Sequence, residues 1–213
     1  ALESGKPAAP LHMGVRIFSD GREAKTGASL AVDRRTARGM RRRRDRLLRR
    51  KKQLLEYLVV HGLMPQDKKE RKKLELLNPY ALRAHGLDEA LNPYELGRTL
   101  FHLNQRRGFK SNRKQEAKDT ESGAIKDAAR KLEERLRASE CRTLGEYLYH
   151  QDYKRVRTQS EDANKVIYDF YPQRAMLEAE YDALITVQRA HHPDILTQEV
   201  TEELKQVIFH QRP

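Results

Sequence analysis

Between Arg34 and Lys52 the chain reads RRTARGMRRRRDRLLRRKK, with twelve Arg or Lys residues and a single acid, Asp45. Arg34, Arg38, Arg42, Arg46 and Arg50 recur within it at a strict spacing of four. That spacing suits the roughly 3.6-residue turn of an α-helix. Outward from the stretch, Ser29 can cap a helix, and Asp33 falls in its first turns, where negative charge is favourable. Apolar Leu30, Ala37, Met40, Leu47, Leu48, Leu54, Leu55 and Leu58 predict a narrow stripe through the basic half and a broader one beyond it. The pattern runs to His61, with Gly62 as C′ residue and Pro65 as a stop. About 32 residues at a rise of ~1.5 Å make a rod of roughly 48 Å.

Like charges four apart destabilise an isolated helix by a few tenths of a kcal/mol per pair. A sequence that accepts this repulsion four times in one row calls for an anionic partner. Ten of the twelve basic residues are Arg, whose planar fork donates two parallel hydrogen bonds to a phosphate. A disordered tail would not carry regularly placed Met40, Leu47, Leu48, Leu54 and Leu55. A membrane-surface helix wants aromatics opposite the charge, and only Tyr57 is available. A nuclear-localisation tract stays open, but the pattern favours nucleic acid.

The whole chain has 213 residues, 43 basic and 31 acidic, for a net charge of +12. Removing Arg34–Lys52 leaves 31 basic and 30 acidic residues, so nearly all the excess charge sits in one segment. Hydrophobic residues make up 38% and charged residues 35%, a thin core for the length but too apolar for wholesale disorder. Eleven Gly, eight Pro and no Trp speak against a β-rich protein and for an extended helical assembly. Cys141 is the single cysteine, which excludes an intrachain disulfide and suits a reducing cytosol. It reads as a small semi-buried residue rather than a thiol nucleophile. No apolar run approaches the ~20 residues of a membrane span, and the start of the chain has no signal-peptide core.

Residues 1–10 read as a flexible or cut end. Met13–Phe18 alternates enough for a short strand, followed by the turn signal Ser19-Asp20-Gly21; with no second strand to pair it, it is an orphan. Two copies of one motif, Leu77-Asn78-Pro79-Tyr80 and Leu91-Asn92-Pro93-Tyr94, place Asn as N-cap and Pro as the first helical residue. Short helices are expected over 67–77 and 79–85, and a longer one over 93–106 ending near Gly108. Arg107–Lys118 reads as a polar loop. Further helices are expected over 120–138, at Thr143–Gln151, from Pro172 to about Ala190, and from the Thr197 cap to about His210. The fold class is therefore all-α, a long arginine-rich helix followed by an extended helical bundle, with one orphan N-terminal strand.

A second basic element, Arg106-Arg107-Gly108-Phe109-Lys110-Ser111-Asn112-Arg113-Lys114, offers phosphate donors, a glycine for close backbone approach and an aromatic that can stack on a base. A helix C-cap with solvated basic side chains accounts for it equally well. No catalytic or metal site emerges. Glu133, Glu134 and Glu146 are scattered among bases on predicted helices. His191-His192, the one adjacent histidine pair, reads as a surface turn before Pro193. His61, His85, His102 and His150 are isolated near helix ends, where capping or packing is the simpler role.

Gly14-Val15-Arg16-Ile17-Phe18, Ser29-Leu30-Ala31, Arg34-Arg35 and the arginine run together resemble the start of the bridge helix in the type II CRISPR effector nucleases (CRISPR-associated protein nine), best the compact type II-C subtype. His102-Leu103 with Arg106–Lys114 resembles that subtype's next motif. Tyr168, Arg174, Glu180 and the ending Gln211-Arg212-Pro213 fit later recognition-lobe positions. The resemblance spans about residue 14 to the end. It implies a fragment divided as a nuclease-strand remnant and linker (1–28), an arginine-rich bridge helix (29–62) and a helical recognition-lobe segment (63–213). The nuclease active sites would lie outside it, so no cofactor is implied here, with magnesium expected for the parent endonuclease of a bacterial cytoplasm.

By the same resemblance, Arg34, Arg35, Arg38, Arg41, Arg42, Arg46, Arg49 and Arg50 contact the guide RNA backbone, especially its seed. Arg106, Arg107, Lys110, Arg113 and Lys114 lie near the repeat:anti-repeat duplex. The implied partners are guide RNA and target DNA, with no membrane. The alternative is a protein-interaction module whose arginine face is bound by an acidic anti-CRISPR inhibitor acting as a phosphate mimic.

Overall fold

The structure is a computed structural model, and it describes residues 2–3, 6–7, 13–17, 21–110, 120–151 and 171–210. Its contacts divide the chain into two compact units, 1–46 and 47–213.

In the first unit two-residue strands β1 (Leu2–Glu3) and β2 (Lys6–Pro7) pair antiparallel, where the sequence predicted no structure. Met13–Ile17 forms no strand, which corrects the expectation for 13–18; Phe18 lies outside the described residues. Met13, Val15 and Ile17 are all exposed. A strand without a partner ladder or a packed face has nothing to stabilise it. A turn follows in which Glu23 N–H donates to the Ala28 carbonyl (2.8 Å) and Leu30 N–H to the Gly21 carbonyl (2.8 Å). Ser29 Oγ then accepts from Ala31 N–H at 3.3 Å, the first helical residue.

Helix α1 spans Ala31–Val60. Leu30 just before it, and Val32 and Met40 in its basic half, are exposed, as is Leu48 further on. The narrow apolar stripe expected there is therefore not buried. The broader stripe near the C-terminal end is: Leu54 and Leu58 are fully buried in the second unit. Complete burial of a leucine is worth about 1.5–3 kcal/mol, so this end of α1 is held by packing. Gly62 follows with φ 69°, the C′ geometry that the sequence predicts.

The second unit is a helical bundle. Helices α2 (Lys68–Glu75), α3 (Pro79–His85), α4 (Pro93–Gln105), α5 (Thr120–Ala138), α6 (Leu144–His150), α7 (Arg174–His191) and α8 (Gln198–Phe209) follow in order. Asn78 Oδ1 accepts from Tyr80 N–H at 3.0 Å, and Asn92 Oδ1 from Tyr94 N–H at 3.1 Å. Glu95 returns the bond to Asn92 N–H at 3.0 Å, closing a capping box. Thr143 and Thr197 cap α6 and α8 through their hydroxyls. α3 packs on α6 and α4, while α4 also meets α2, α7 and α8. One apolar cluster runs through them, with Leu63, Leu96, Leu100, Leu103, Leu132, Leu184 and Leu204 fully buried. Gln188 of α7 ties the α3–α4 loop to it. Its Nε2 donates to the Gly86 and Glu89 carbonyls, both at 2.7 Å, and its Oε1 accepts from Leu91 N–H at 2.9 Å.

A buried ion pair lies among these helices. Arg83 of α3 grips Glu180 of α7 with two bonds, Nε to Oε1 at 2.5 Å and Nη2 to Oε2 at 2.6 Å. Gly145 N–H adds a third bond to Glu180 at 2.9 Å. His102 Nδ1 lies 3.4 Å from Arg83 Nη1. Burial first, and then the charges of Arg83, Arg98 and Arg106, push the His102 ring down to about 2. The ring is therefore neutral, and its Nδ1 can accept from Arg83. Two buried charges alone would be costly; three donors on one carboxylate offset that cost.

Candidate nucleic-acid interface

In the first unit Arg34, Arg35, Arg38, Arg41, Arg42 and Arg46 are all exposed. Among the described residues none of them makes an ion pair. At about 100° per residue, Arg34, Arg38, Arg42 and Arg46 drift by roughly 120° around the helix over ~18 Å of its length. The row is thus a shallow spiral of guanidiniums. It suits a backbone that winds past the helix more than a flat anionic wall.

In the second unit the expected contacts separate. Arg49, Arg106 and Lys110 are exposed, whereas Arg50 and Arg107 are half-buried. Arg113 and Lys114 lie outside the described residues. The end of α4 sets this arrangement. Gly108 takes φ 72°, and a Cβ there would meet the Gln173 carbonyl carbon and oxygen at 2.7 Å and Arg174 N at 2.8 Å. Only glycine lets the loop come this close to the start of α7. The contact is then pinned, with Phe109 N–H donating to the Pro172 carbonyl (3.0 Å) and Arg174 N–H to the Phe109 carbonyl (2.8 Å). The loop follows the end of α4 and is held against the start of α7 by its own backbone.

Arg107 does not simply reach into solvent. Its Nη1 donates to the His210 carbonyl at 2.5 Å. Arg174, not assigned a contact in the sequence reading, donates to the Phe209 carbonyl at 3.0 Å. Desolvation and the neighbouring Arg50 and Arg174 charges bring Arg107 down to about 10. Desolvation and Arg174 likewise lower Arg50. All three stay charged at neutral pH. The pocket beside them is lined by Arg50, Tyr80, Arg106, Arg107, Phe109 and Tyr171, among others. Tyr171 and Arg174 could have been suspected from the apolar and aromatic residues that flank them at the start of α7, but no spacing links them to Arg50.

Cys141 and His192 have structural partners. Cys141 is half-buried, with Sγ 3.5 Å from the Ser139 carbonyl. His191 is exposed, but His192 is half-buried and its Nε2 lies 2.7 Å from the Leu91 carbonyl. Among the described residues no group of three or more His, Cys, Asp or Glu side chains could hold a metal ion. No described helix is long and apolar enough to cross a membrane.

No family model matches the chain. A curated relative, the CRISPR-associated endonuclease Cas9 of Campylobacter jejuni, is 33% identical over an alignment of 164 residues that covers 72% of this chain and 16% of that protein. Two crystal structures of Campylobacter jejuni Cas9 in complex with sgRNA and target DNA are similar, with TM-scores of 0.64 and 0.66 at 25% and 26% identity. They cover 86% and 90% of this chain, and 25% and 26% of the Cas9 chains. Corynebacterium diphtheriae Cas9 in complex with sgRNA and target DNA has the same fold, with a TM-score of 0.59 at 20% identity over 89% of this chain and 22% of that one. The chain spans about one sixth of the curated relative's length. It belongs to the Cas9 family of CRISPR-associated endonucleases, of which it represents one helical segment, and its likeness to the Campylobacter jejuni protein is consistent with the type II-C subtype.

Proposed function

We propose that this chain is the guide-RNA-binding region of an RNA-guided DNA endonuclease of CRISPR antiviral defence, in contact with the guide and the guide:target heteroduplex. The observation that carries this reading is the row of exposed arginines Arg34, Arg35, Arg38, Arg41, Arg42 and Arg46, none of which makes an ion pair among the described residues. Such a face is electrostatically incomplete until an anion meets it. On this reading residues 1–28 are linker and nuclease-strand remnant, 29–62 the bridge helix and 63–213 recognition lobe. Arginines winding along a phosphate backbone would hold the guide's seed in A-form before target arrives. Less ordering entropy is then lost on base pairing.

Strand cleavage belongs to the parent protein. On this reading the magnesium expected for cleavage serves the parent endonuclease. Arg49, Arg50, Arg106, Arg107 and Lys110 extend the phosphate contacts in the second unit, and Arg113 and Lys114 continue the same loop in sequence.

The test is binding of this chain to a cognate guide RNA and to an unrelated RNA of equal length, at several salt concentrations. Steep salt dependence with preference for the cognate scaffold is expected. A salt slope near zero would refute the reading. A second reading uses the same uncompensated face as the seat of an acidic anti-CRISPR inhibitor. There, guide and inhibitor compete, and charge reversal at Arg38, Arg42 and Arg46 abolishes both complexes.

A further inference from the structure

Three arginines of the second unit converge; Glu178 partly offsets the charge of Arg174, but it makes no ion pair with it among the described residues. Arg50 feels the charge of Arg174, and Arg107 feels both. Arg50 and Arg174 each bury an Nε that has no hydrogen-bond partner. The acceptors that Arg107 and Arg174 do have are neutral carbonyls, those of His210, Phe209 and Gly108. Among the described residues no carboxylate makes an ion pair with any of the three. Bringing like charges together out of water is unfavourable unless an anion completes the site.

Arg50 and Arg107 line a cavity of about 380 Å³. That lies at the small end of the roughly 300–1,000 Å³ typical of ligand sites. Its other wall is aromatic. Phe109 is 45% exposed, and its ring meets Tyr171 edge-on, with centroids 5.2 Å apart. The Phe109 backbone is clamped to Pro172 and Arg174, so this partly exposed ring is carried on a fixed stretch of backbone. An inorganic anion would have no use for the aromatic wall, and an apolar ligand none for the arginines. A phosphate joined to a flat base uses both. A base inside a duplex has its faces covered by its neighbours, so the nucleotide must be unstacked.

We propose that this pocket holds one unpaired nucleotide, its phosphate against Arg50 and Arg107 and its base on the face of Phe109. The inference rests on the nucleic-acid reading above and adds to it the state of the strand. The chemistry is shared by RNA and DNA single strands, and the experiment separates them.

The intact chain is titrated with a short RNA strand carrying one 2-aminopurine, with the same strand as DNA, and with the RNA annealed to its complement. Stacking on Phe109 quenches 2-aminopurine when a single strand binds. Quenching with RNA assigns the pocket to the guide, and quenching with DNA alone assigns it to a target or displaced strand; either supports the proposal. Phe109→Ala should abolish the quenching and weaken single-strand binding about tenfold, the scale of one base–aromatic stack, with duplex binding unchanged. Phe109→Leu keeps apolar bulk without a ring and should behave the same way. Circular dichroism establishes that both variants are folded. Unchanged single-strand affinity in both variants, or equal weakening on the duplex, overturns the proposal. If wild type binds the duplex but quenches neither single strand, the pocket assignment fails while the nucleic-acid reading stands; if no probe binds, both fail.

Discussion

Replacing Arg38, Arg42 and Arg46 together by alanine separates charge from structure more cleanly than other changes in this chain. All three side chains are exposed, and none makes an ion pair among the described residues. Their removal relieves all four like-charge contacts of the row Arg34–Arg50, each worth about 0.2–0.5 kcal/mol. Alanine is at least as good a helix former as arginine. The variant should therefore melt at the wild-type temperature or slightly above it. Its affinity for RNA should change in one specific way. Six exposed arginines on six phosphates give a log–log salt slope of about −5, at roughly 0.9 per phosphate for a duplex and somewhat less for a single strand. Losing three brings the slope to between about −2 and −3. Between about 50 and 200 mM salt, wild type should then lose roughly a thousandfold in affinity and the variant only some tens of fold. Fluorescence anisotropy with labelled guide RNA at four salt concentrations reads both slopes. An unchanged slope would show that these arginines do not touch phosphate. A lowered melting temperature would show a structural role that their exposure does not allow.

Other outcomes concern the buried polar centre. Glu180→Gln leaves the Arg83 guanidinium buried without a counter-charge and should cost about 3–5 kcal/mol in urea denaturation; a loss below about 1 kcal/mol would mean that water already reaches the pair. Gly145→Ala places a Cβ against Glu180 Oε1 and Arg83 Nε and should cost about 1–3 kcal/mol by overpacking, with the salt slope of RNA binding unchanged. His102 is held neutral when folded, down to about 2, but takes a proton near ~6.5 when unfolded. The unfolded state thus binds the extra proton below about 6.5, and stability falls as pH falls, by about 1.4 kcal/mol per unit. Between about pH 7.5 and 5, wild type should lose about 2 kcal/mol more than His102→Asn; parallel pH profiles would refute the assignment.

Much of this architecture is written in short-range sequence. Asn78-Pro79, Asn92-Pro93, Thr143 and Thr197 start their helices as their side chains dictate, and the helix at 120–138 begins and ends where its pattern does. The arginine row is visible at once because its spacing and charge are properties of residues four apart. Other features are not of that kind. Met13–Ile17 has the alternation of a strand, but alternation only offers a face, and a strand exists only where a partner accepts it. Met40 and Leu48 look like core positions by period, yet both are exposed. Glu180 sits on the apolar face of α7 with Leu177, Tyr181 and Leu184, a charge out of place in the pattern; its explanation, Arg83, lies 97 residues away. The convergence of Arg50, Arg107 and Arg174 is equally invisible in one dimension. Capping, periodicity and net charge depend on neighbours within about one helical turn, so the sequence by itself determined the helices and the basic face. Which charges are paired in the core, and which are left unpaired beside an aromatic wall, depends on helices distant in the chain packing together, and only the tertiary structure decided that.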